Sequence, residues 1–245
     1  MRYEKERQLL IDTARIMEKY NLVKLSGGNV SMRMPCGNVL VTPSAMSYDT
    51  MVPEDIVLID LDGNIVEGFR RPTSDWKAIT YILRHMPEKN VVLHTHQPAA
   101  TALSLVADEL PVISTTMVDE LKATVKVAPF TISSDEGMGI SAVQYAGKAL
   151  AVILKHHGVL AFGKSMDQAL SAVVYLEECC EVYLKALATG REIPVLTQEQ
   201  IDAEDAPRGY YGQPESYIVM RCVPNRGRTL FMGRKRSCTP IPPVV

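Results

Sequence analysis

Four of the five histidines stand in two short motifs whose spacing suits metal binding. His94 and His96 lie at the end of a predicted strand, where residues i and i+2 point to the same face and can share one ion. His156 and His157 lie at a predicted bend, and because adjacent side chains point apart, at most one should join that site. A His-x-His motif alone is often only a surface pair. The second motif favours a metal with one coordination position open for substrate.

Asp75 begins a predicted helix that leads into the histidine strand. A carboxylate in a first helical turn interacts favourably with the helix dipole, which is a sufficient structural explanation for it. The alternative is acid–base chemistry beside a metal ion. The sequence by itself does not place Asp75 near the histidines, so both interpretations stay open.

Three short loops carry groups that can bind phosphate: Ser26–Asn29 with its glycine pair, Thr42–Ser44, and Pro72–Ser74 beside a helix start. Glycines let backbone N–H groups approach an anion, and hydroxyls add further donors. Each loop could equally be a turn or a helix cap. Their number favours a phosphorylated ligand.

Hydrophobic periodicity and turn residues predict that helices and strands alternate in one α/β domain over residues 1 to about 205. The predicted helices are 3–20, 74–86, 99–107, 138–150, 165–187 and a short one from 197. The predicted strands are 38–43, 56–60, 91–96, 112–114, 151–154 and 159–162, with a turn at 61–64. No internal repeat is visible.

The composition excludes several classes of protein. With 26 basic and 28 acidic residues, the net charge of −2 gives no overall attraction to nucleic acid or an anionic membrane. No apolar run approaches a membrane span, the N-terminus is charged, and the five cysteines form no Cys-x-x-Cys pair, which together favour a cytoplasmic protein. The C-terminal end carries a basic cluster: Arg221, Arg226, Arg228, Arg234, Lys235 and Arg236. We expect a solvated, loosely ordered tail there rather than a polyanion site.

Taken in order, the motifs over residues 1–213 resemble those of the class II aldolase/adducin family. The motifs are Ser26-Gly27-Gly28-Asn29-Val30-Ser31, Thr42-Pro43-Ser44, Pro72-Thr73-Ser74-Asp75-Trp76, His94-Thr95-His96, His156-His157-Gly158 and Tyr211-Gly212. The resemblance implies a single α/β domain over 1–213, with a mainly antiparallel nine-stranded sheet flanked by helices, and a Pro-rich basic tail over 214–245. It also implies a homotetramer with sites between subunits.

The resemblance also implies roles for individual residues. His94, His96 and His157 would hold Zn²⁺ or another divalent transition metal, with His156 as a neighbour. Asp75 would move protons, and Tyr211 would reach the site of a neighbouring subunit. The substrate phosphate would be bound by Gly28, Asn29, Ser44, Thr73 and Ser74. The implied reaction is reversible cleavage of a ketose 1-phosphate, similar to fuculose 1-phosphate, into dihydroxyacetone phosphate and an aldehyde.

Two alternatives stay open within the family. The aldolases carry a glutamate at the position of Asp75, whereas an aspartate is typical of the related pentulose-5-phosphate 4-epimerases. Asp119, after Thr115-Thr116, also matches the catalytic aspartate of those epimerases, which share the retro-aldol step. The other alternative is a non-catalytic module like the adducin head, which the intact histidine set disfavours.

Overall fold

The computed structural model describes residues 1–206, which form a single nine-stranded sheet with helices on both faces. The strands are β1 (Asn29–Arg33), β2 (Val39–Val41), β3 (Val57–Ile59), β4 (Ile65–Glu67), β5 (Val91–Thr95), β6 (Glu109–Leu110), β7 (Val125–Ala128), β8 (Ala151–Leu154) and β9 (Gly158–Gly163). Their order in the sheet is β4-β3-β2-β1-β5-β9-β8-β7-β6. Among the strands described, only the β7–β8 pair is parallel, so the prediction of a mainly antiparallel nine-stranded α/β fold is confirmed.

Six α-helices are described within residues 1–206: α1 (Glu4–Lys19), α2 (Trp76–His85), α3 (Pro98–Val106), α4 (Glu136–Ala146), α5 (Met166–Leu187) and α6 (Gln198–Glu204). Helices α1, α3 and α5 pack on one face of the sheet, and α2 and α4 pack on the other. The central strands are therefore buried on both faces and carry continuous apolar runs such as Ala151–Leu154. None of these helices combines the length and apolar character that a membrane span needs.

Most predicted elements occur within a few residues of their expected bounds, because their apolar periodicity is local. The predicted strand at 112–114 is wrong: β6 stops at Leu110, and Pro111, which has no N–H, cannot extend the ladder. The predicted helix 138–150 begins earlier, where Asp135 caps α4 through the Glu136 N–H, and ends before Gly147. Strands β1 and β7 had no prediction from periodicity.

The antiparallel pairing around β5 positions the site. β1 and β9 both flank β5 and run opposite to it, so the starts of β1 and β9 lie beside the end of β5. Asn29 is consequently opposite His94 in the β1–β5 register, and the bend that contains His157 immediately precedes β9. Three segments distant in sequence thus meet at one end of the central strands.

Candidate active site and metal centre

Three histidine side chains converge at the end of β5. Ring nitrogens of His94, His96 and His157 all lie within 4.8 Å of one another. The Nε2 atoms of His94 and His96 are 3.1 Å apart. Two ligand nitrogens on a tetrahedral zinc ion are about 3.3 Å apart for Zn–N bonds of about 2.05 Å, so the observed spacing fits one ion.

The orientation and the protonation state of the three histidines also suit metal binding. His94 Nδ1 donates to the Val159 carbonyl at 2.9 Å, which directs its Nε2 toward the other two rings. Burial lowers the pKa of His94 to about 4, against an opposing effect of Asp75. Burial also lowers the pKa values of His96 and His157. All three imidazoles are therefore neutral near pH 7, the form that binds a metal ion.

The bend before β9 brings His157, rather than His156, into this cluster. His156 has a positive φ of 61°, which turns the chain sharply and separates the two adjacent side chains. Gly158 follows, and a Cβ there would lie 2.1 Å from the Thr95 carbonyl oxygen. Only glycine permits this close approach of the bend to the end of β5, as the His-His-Gly motif requires.

Asp75 stands beside the histidines at the start of α2. Its Oδ2 is 4.0 Å from His94 Nε2 and accepts a hydrogen bond from Asn29 Nδ2 at 2.7 Å. Its Oδ1 accepts from Ser134 Oγ at 3.1 Å. The carboxylate is nearly buried and oriented by two donors, so it can exchange a proton with a ligand bound at the histidines.

A cavity of about 250 Å³ opens beside the histidines and Asp75. Its lining includes the predicted phosphate-binding residues Gly28, Ser44, Thr73 and Ser74. The loops that carry them are joined by backbone hydrogen bonds from Ser44 N to Arg71 O and from Thr73 N to Thr42 O, both 3.0 Å. Gly28 has a φ of 73°, and a Cβ there would meet the His94 carbonyl at 2.4 Å. The glycine loop therefore lies directly against the histidine strand.

Two predicted site residues are not among those that line the cavity, and a third lies outside the described residues. Asn29 is buried and is not among the residues that line the cavity; its side-chain amide donates a hydrogen bond to Asp75. Asp119 lies half-buried in a π-helical turn, Met117–Leu121, and is not among the lining residues. Tyr211 lies outside the described residues.

Two contributors were not predicted from the sequence. Ser134, which has a φ of 64°, lines the cavity and bonds to Asp75; it belongs to a Ser-Ser pair in a loop with no periodicity to distinguish it. Tyr48 is buried, and its hydroxyl donates to Gly28 O at 2.9 Å with Gly27 O at 3.1 Å. Its position after the Thr42-Pro43-Ser44 motif is the only sequence signal for it.

Comparison with known proteins identifies the family to which this arrangement belongs. Residues 8–184 match the family described as Class II Aldolase and Adducin N-terminal domain, and this range includes all three histidines, Asp75 and every loop of the cavity. The chain belongs to the class II aldolase/adducin family. The resemblance of its motifs to that family is thereby confirmed.

Several members of the family are similar over most of the chain. An L-fuculose phosphate aldolase of Haemophilus influenzae is 31% identical over 194 residues, covering 79% of this chain and 89% of that protein. A 5-deoxy-D-ribulose 1-phosphate aldolase of Bacillus thuringiensis serovar kurstaki is 28% identical and covers 87% of this chain and all of that protein. An L-ribulose-5-phosphate 4-epimerase of Salmonella paratyphi C is also 28% identical, with coverages of 86% and 99%.

The fold comparison agrees. A solved structure of an L-fuculose 1-phosphate aldolase superposes with a TM-score of 0.79 at 27% identity, covering 84% of this chain and 96% of that one. The chain thus has the class II aldolase fold. Its three-histidine cluster could hold a metal ion of the kind on which class II aldolases depend.

Proposed function

We propose that this protein is a zinc-dependent class II aldolase that reversibly cleaves a ketose 1-phosphate, similar to fuculose 1-phosphate, into dihydroxyacetone phosphate and an aldehyde. The observation that carries the proposal is the convergence of His94, His96 and His157 beside Asp75 in one cavity. The Bacillus thuringiensis relative and the solved L-fuculose 1-phosphate aldolase, both named for ketose 1-phosphates, support the substrate class.

The residues divide the task by position. A divalent metal ion held by His94, His96 and His157 would supply Lewis acidity at the substrate ketone. The backbone N–H of Gly28 and the hydroxyls of Ser44, Thr73 and Ser74, which line the same cavity, would bind the phosphate. Because the cavity is only about 250 Å³, a phosphate held by these groups would place the adjacent carbons near the histidines.

Asp75 would move the proton of the reacting carbon. Asn29 and Ser134 donate to its two oxygens, so the carboxylate keeps a fixed direction into the cavity. Tyr211, from the C-terminal segment of a neighbouring subunit, would transfer the proton at the aldehyde oxygen. This assignment implies a homotetramer whose sites are completed between subunits.

The direct test is release of dihydroxyacetone phosphate, measured by NADH oxidation in a coupled assay. Fuculose 1-phosphate and ribulose 1-phosphate would be offered to zinc-loaded protein and to protein treated with a chelator. We expect release only from the loaded protein, with recovery when zinc is restored. Absence of release from a protein that demonstrably contains zinc would reject the aldolase assignment, whereas a protein that takes up no metal would favour the non-catalytic module.

A pentulose-5-phosphate 4-epimerase is the second candidate, supported by the aspartate at position 75 and by the similarity to the Salmonella epimerase. It would use the same cleavage step but retain, rotate and re-add the aldehyde. Replacement of Asp119 by Asn distinguishes the candidates. An epimerase should lose turnover of ribulose 5-phosphate with unchanged zinc content, while an aldolase should keep its cleavage rate.

A further inference from the structure

The face of the histidine strand that points away from the cavity carries a buried polar network. Thr95 and Gln97 alternate with the histidines and point toward α5, and both are fully buried. Thr95 Oγ1 donates to Gln97 Oε1 at 2.6 Å. Gln97 Nε2 donates to the Val173 carbonyl at 3.0 Å and to Glu177 Oε2 at 3.3 Å.

Glu177 on α5 is the centre of this network. Its Oε1 accepts from the Ala99 N–H at 2.7 Å, and its Oε2 accepts from the Ala100 N–H at 3.1 Å. These are the free N–H groups of the first turn of α3, which an N-cap side chain usually satisfies. Here Gln97 occupies the cap position without bonding to them, and the carboxylate arrives from another helix.

A carboxylate in this position needs an explanation beyond packing. Its surroundings on this face of the sheet are apolar, with Leu103, Val173 and Leu176 fully buried. Within residues 1–206 no ion pair involves Glu177, so the positive end of α3 is its electrostatic partner. Burying a charged group costs free energy. A buried carboxylate is therefore weak evidence for stability alone, and a role in fixing the local geometry is an alternative explanation.

The position of His96 indicates what the Glu177 network could orient. Strand β5 ends at Thr95, so the sheet ladder does not hold His96 directly; its N–H bonds instead to the Leu22 carbonyl at 2.9 Å. His96 lies between the two residues, Thr95 and Gln97, that belong to the buried network. The residues on both sides of the exposed His96 side chain are therefore held by buried side-chain hydrogen bonds.

We propose that Glu177 is a positioning residue for the metal centre: by capping α3 and holding Gln97, it sets the direction of His96 toward His94 and His157. The inference rests on the proposed function, because it requires those histidines to bind a metal ion. It assigns Glu177 no contact with substrate or metal. The two carboxylate oxygens of Glu177 accept hydrogen bonds from three N–H donors, on Gln97, Ala99 and Ala100. A glutamine at this position could not replace it, because its side-chain NH₂ group is a donor and would face at least one of these N–H groups.

The test is metal affinity in Glu177→Gln, which is nearly isosteric. Zinc binding would be measured by competition with a chromophoric chelator, and the geometry by the visible absorption of the cobalt-substituted protein. We expect a dissociation constant for zinc about tenfold or more above the wild-type value, with an altered cobalt spectrum. Glu178→Gln, an exposed neighbour on the same helix, should match the wild type.

A purely structural role gives a different result. It would lower the melting temperatures of metal-free and zinc-loaded protein equally, with unchanged zinc affinity, whereas a positioning role reduces the increase in melting temperature that zinc produces. If Glu177→Gln does not fold, Thr95→Val is the second variant, because it removes the hydrogen bond from Thr95 to Gln97. A severalfold weaker zinc affinity in Thr95→Val would support the positioning role. An unchanged zinc affinity would overturn it.

Wild-type affinity separates the two proposals. A wild-type protein that binds neither zinc nor cobalt rejects the proposed function and this inference with it. A wild-type protein that binds zinc, together with folded variants that bind it equally well, overturns the role of Glu177 alone.

Discussion

At the scale of single residues, the site depends on side chains held by specific donors. Asp75 receives one hydrogen bond on each oxygen, and its nearer oxygen stays 4.0 Å from His94 Nε2. The carboxylate neighbours the histidine cluster, and we assign it to proton transfer rather than to metal binding. Its removal should therefore affect proton transfer and not metal content.

Asp75→Asn is expected to lower the rate of ketose 1-phosphate cleavage by about 10²–10⁴-fold, the usual contribution of a general acid or base. Zinc content, determined by atomic absorption, should stay at the wild-type level. Asp49→Asn, a change at an exposed carboxylate, serves as the matched control. Loss of zinc in Asp75→Asn would instead make this residue a ligand.

Acidification should destabilise the metal-free protein. The pKa of His94 is lowered from 6.5 to about 4 in the folded protein, so between these values the unfolded chain binds a proton that the folded chain does not. The free energy of unfolding should thus fall as pH falls from about 6.5 toward 4, by up to about 1.4 kcal/mol per pH unit for this group.

Urea titrations of chelator-treated protein at pH 7, 6, 5 and 4 would measure this slope. His94→Asn should reduce this slope, since it removes the most buried of the three imidazoles. A stability that is constant or rises over this interval would contradict the burial argument.

Tyr48 should act on substrate affinity through the glycine loop. Its hydroxyl bonds to the Gly27–Gly28 carbonyls, and burial keeps it neutral by raising its pKa. Tyr48→Phe removes this support, and we expect KM for the phosphorylated substrate to rise about fivefold, equivalent to about 1 kcal/mol, with kcat little changed. Tyr20→Phe, at an exposed tyrosine, should leave both constants unchanged. An equal fall in kcat would indicate that Tyr48 acts on the reacting atoms.

At the scale of secondary structure, the site depends on how closely α2 and α4 approach. Asp75 is the N-cap residue immediately before α2, so the placement of α2 determines the placement of the carboxylate. Gly139 on α4 faces α2, and a Cβ there would lie 2.7 Å from the Ala78 carbonyl oxygen and 2.9 Å from Ala78 Cα. The contact is made against backbone, which cannot rotate away.

Gly139→Ala should therefore destabilise the fold by about 1–3 kcal/mol, the usual cost of overpacking. Gly137→Ala, two residues earlier on the same helix, meets nothing within 4 Å and should leave stability unchanged or slightly increased. Chemical denaturation of both variants checks the pair. If Gly139→Ala and Gly137→Ala changed the free energy of unfolding equally, the close contact between α2 and α4 would not contribute to stability.

At the scale of the whole molecule, the described residues supply the histidines, Asp75 and the groups proposed to bind phosphate, while the proposed tyrosine lies beyond residue 206. If Tyr211 serves a neighbouring subunit, two inactive variants should restore each other. Coexpressed Asp75→Asn and Tyr211→Phe chains should assemble into mixed oligomers with about a quarter of the wild-type activity, since about one site in four then combines both intact residues.

Activity of the mixed oligomers would be measured after purification with a different tag on each chain. Separately expressed variants, mixed without subunit exchange, provide the baseline. Mixed oligomers that show no activity would mean that Tyr211 serves the site of its own chain, whereas an active Tyr211→Phe protein on its own would mean that Tyr211 has no role in the site.

Local sequence features predicted the helices and several strands because apolar periodicity and capping residues act within a few positions. The boundaries of α1, α5 and α6 follow from such patterns, including the bonds of Ser165 and Thr197 to the N–H groups three residues on. The position of β6 before Pro111 and the short strand β7 follow from strand pairing, which periodicity alone does not reveal.

The sequence by itself determined which residue types are available for chemistry: two histidine motifs, an aspartate at a helix start, and three loops rich in glycine and hydroxyl groups. The tertiary structure decided which of them act together. Antiparallel pairing of β1 and β9 with β5 places Asn29 and His157 beside His94. It also placed Ser134, Tyr48 and Glu177 in supporting roles, because hydrogen bonds between residues 20 to 80 positions apart arise only when the chain is folded.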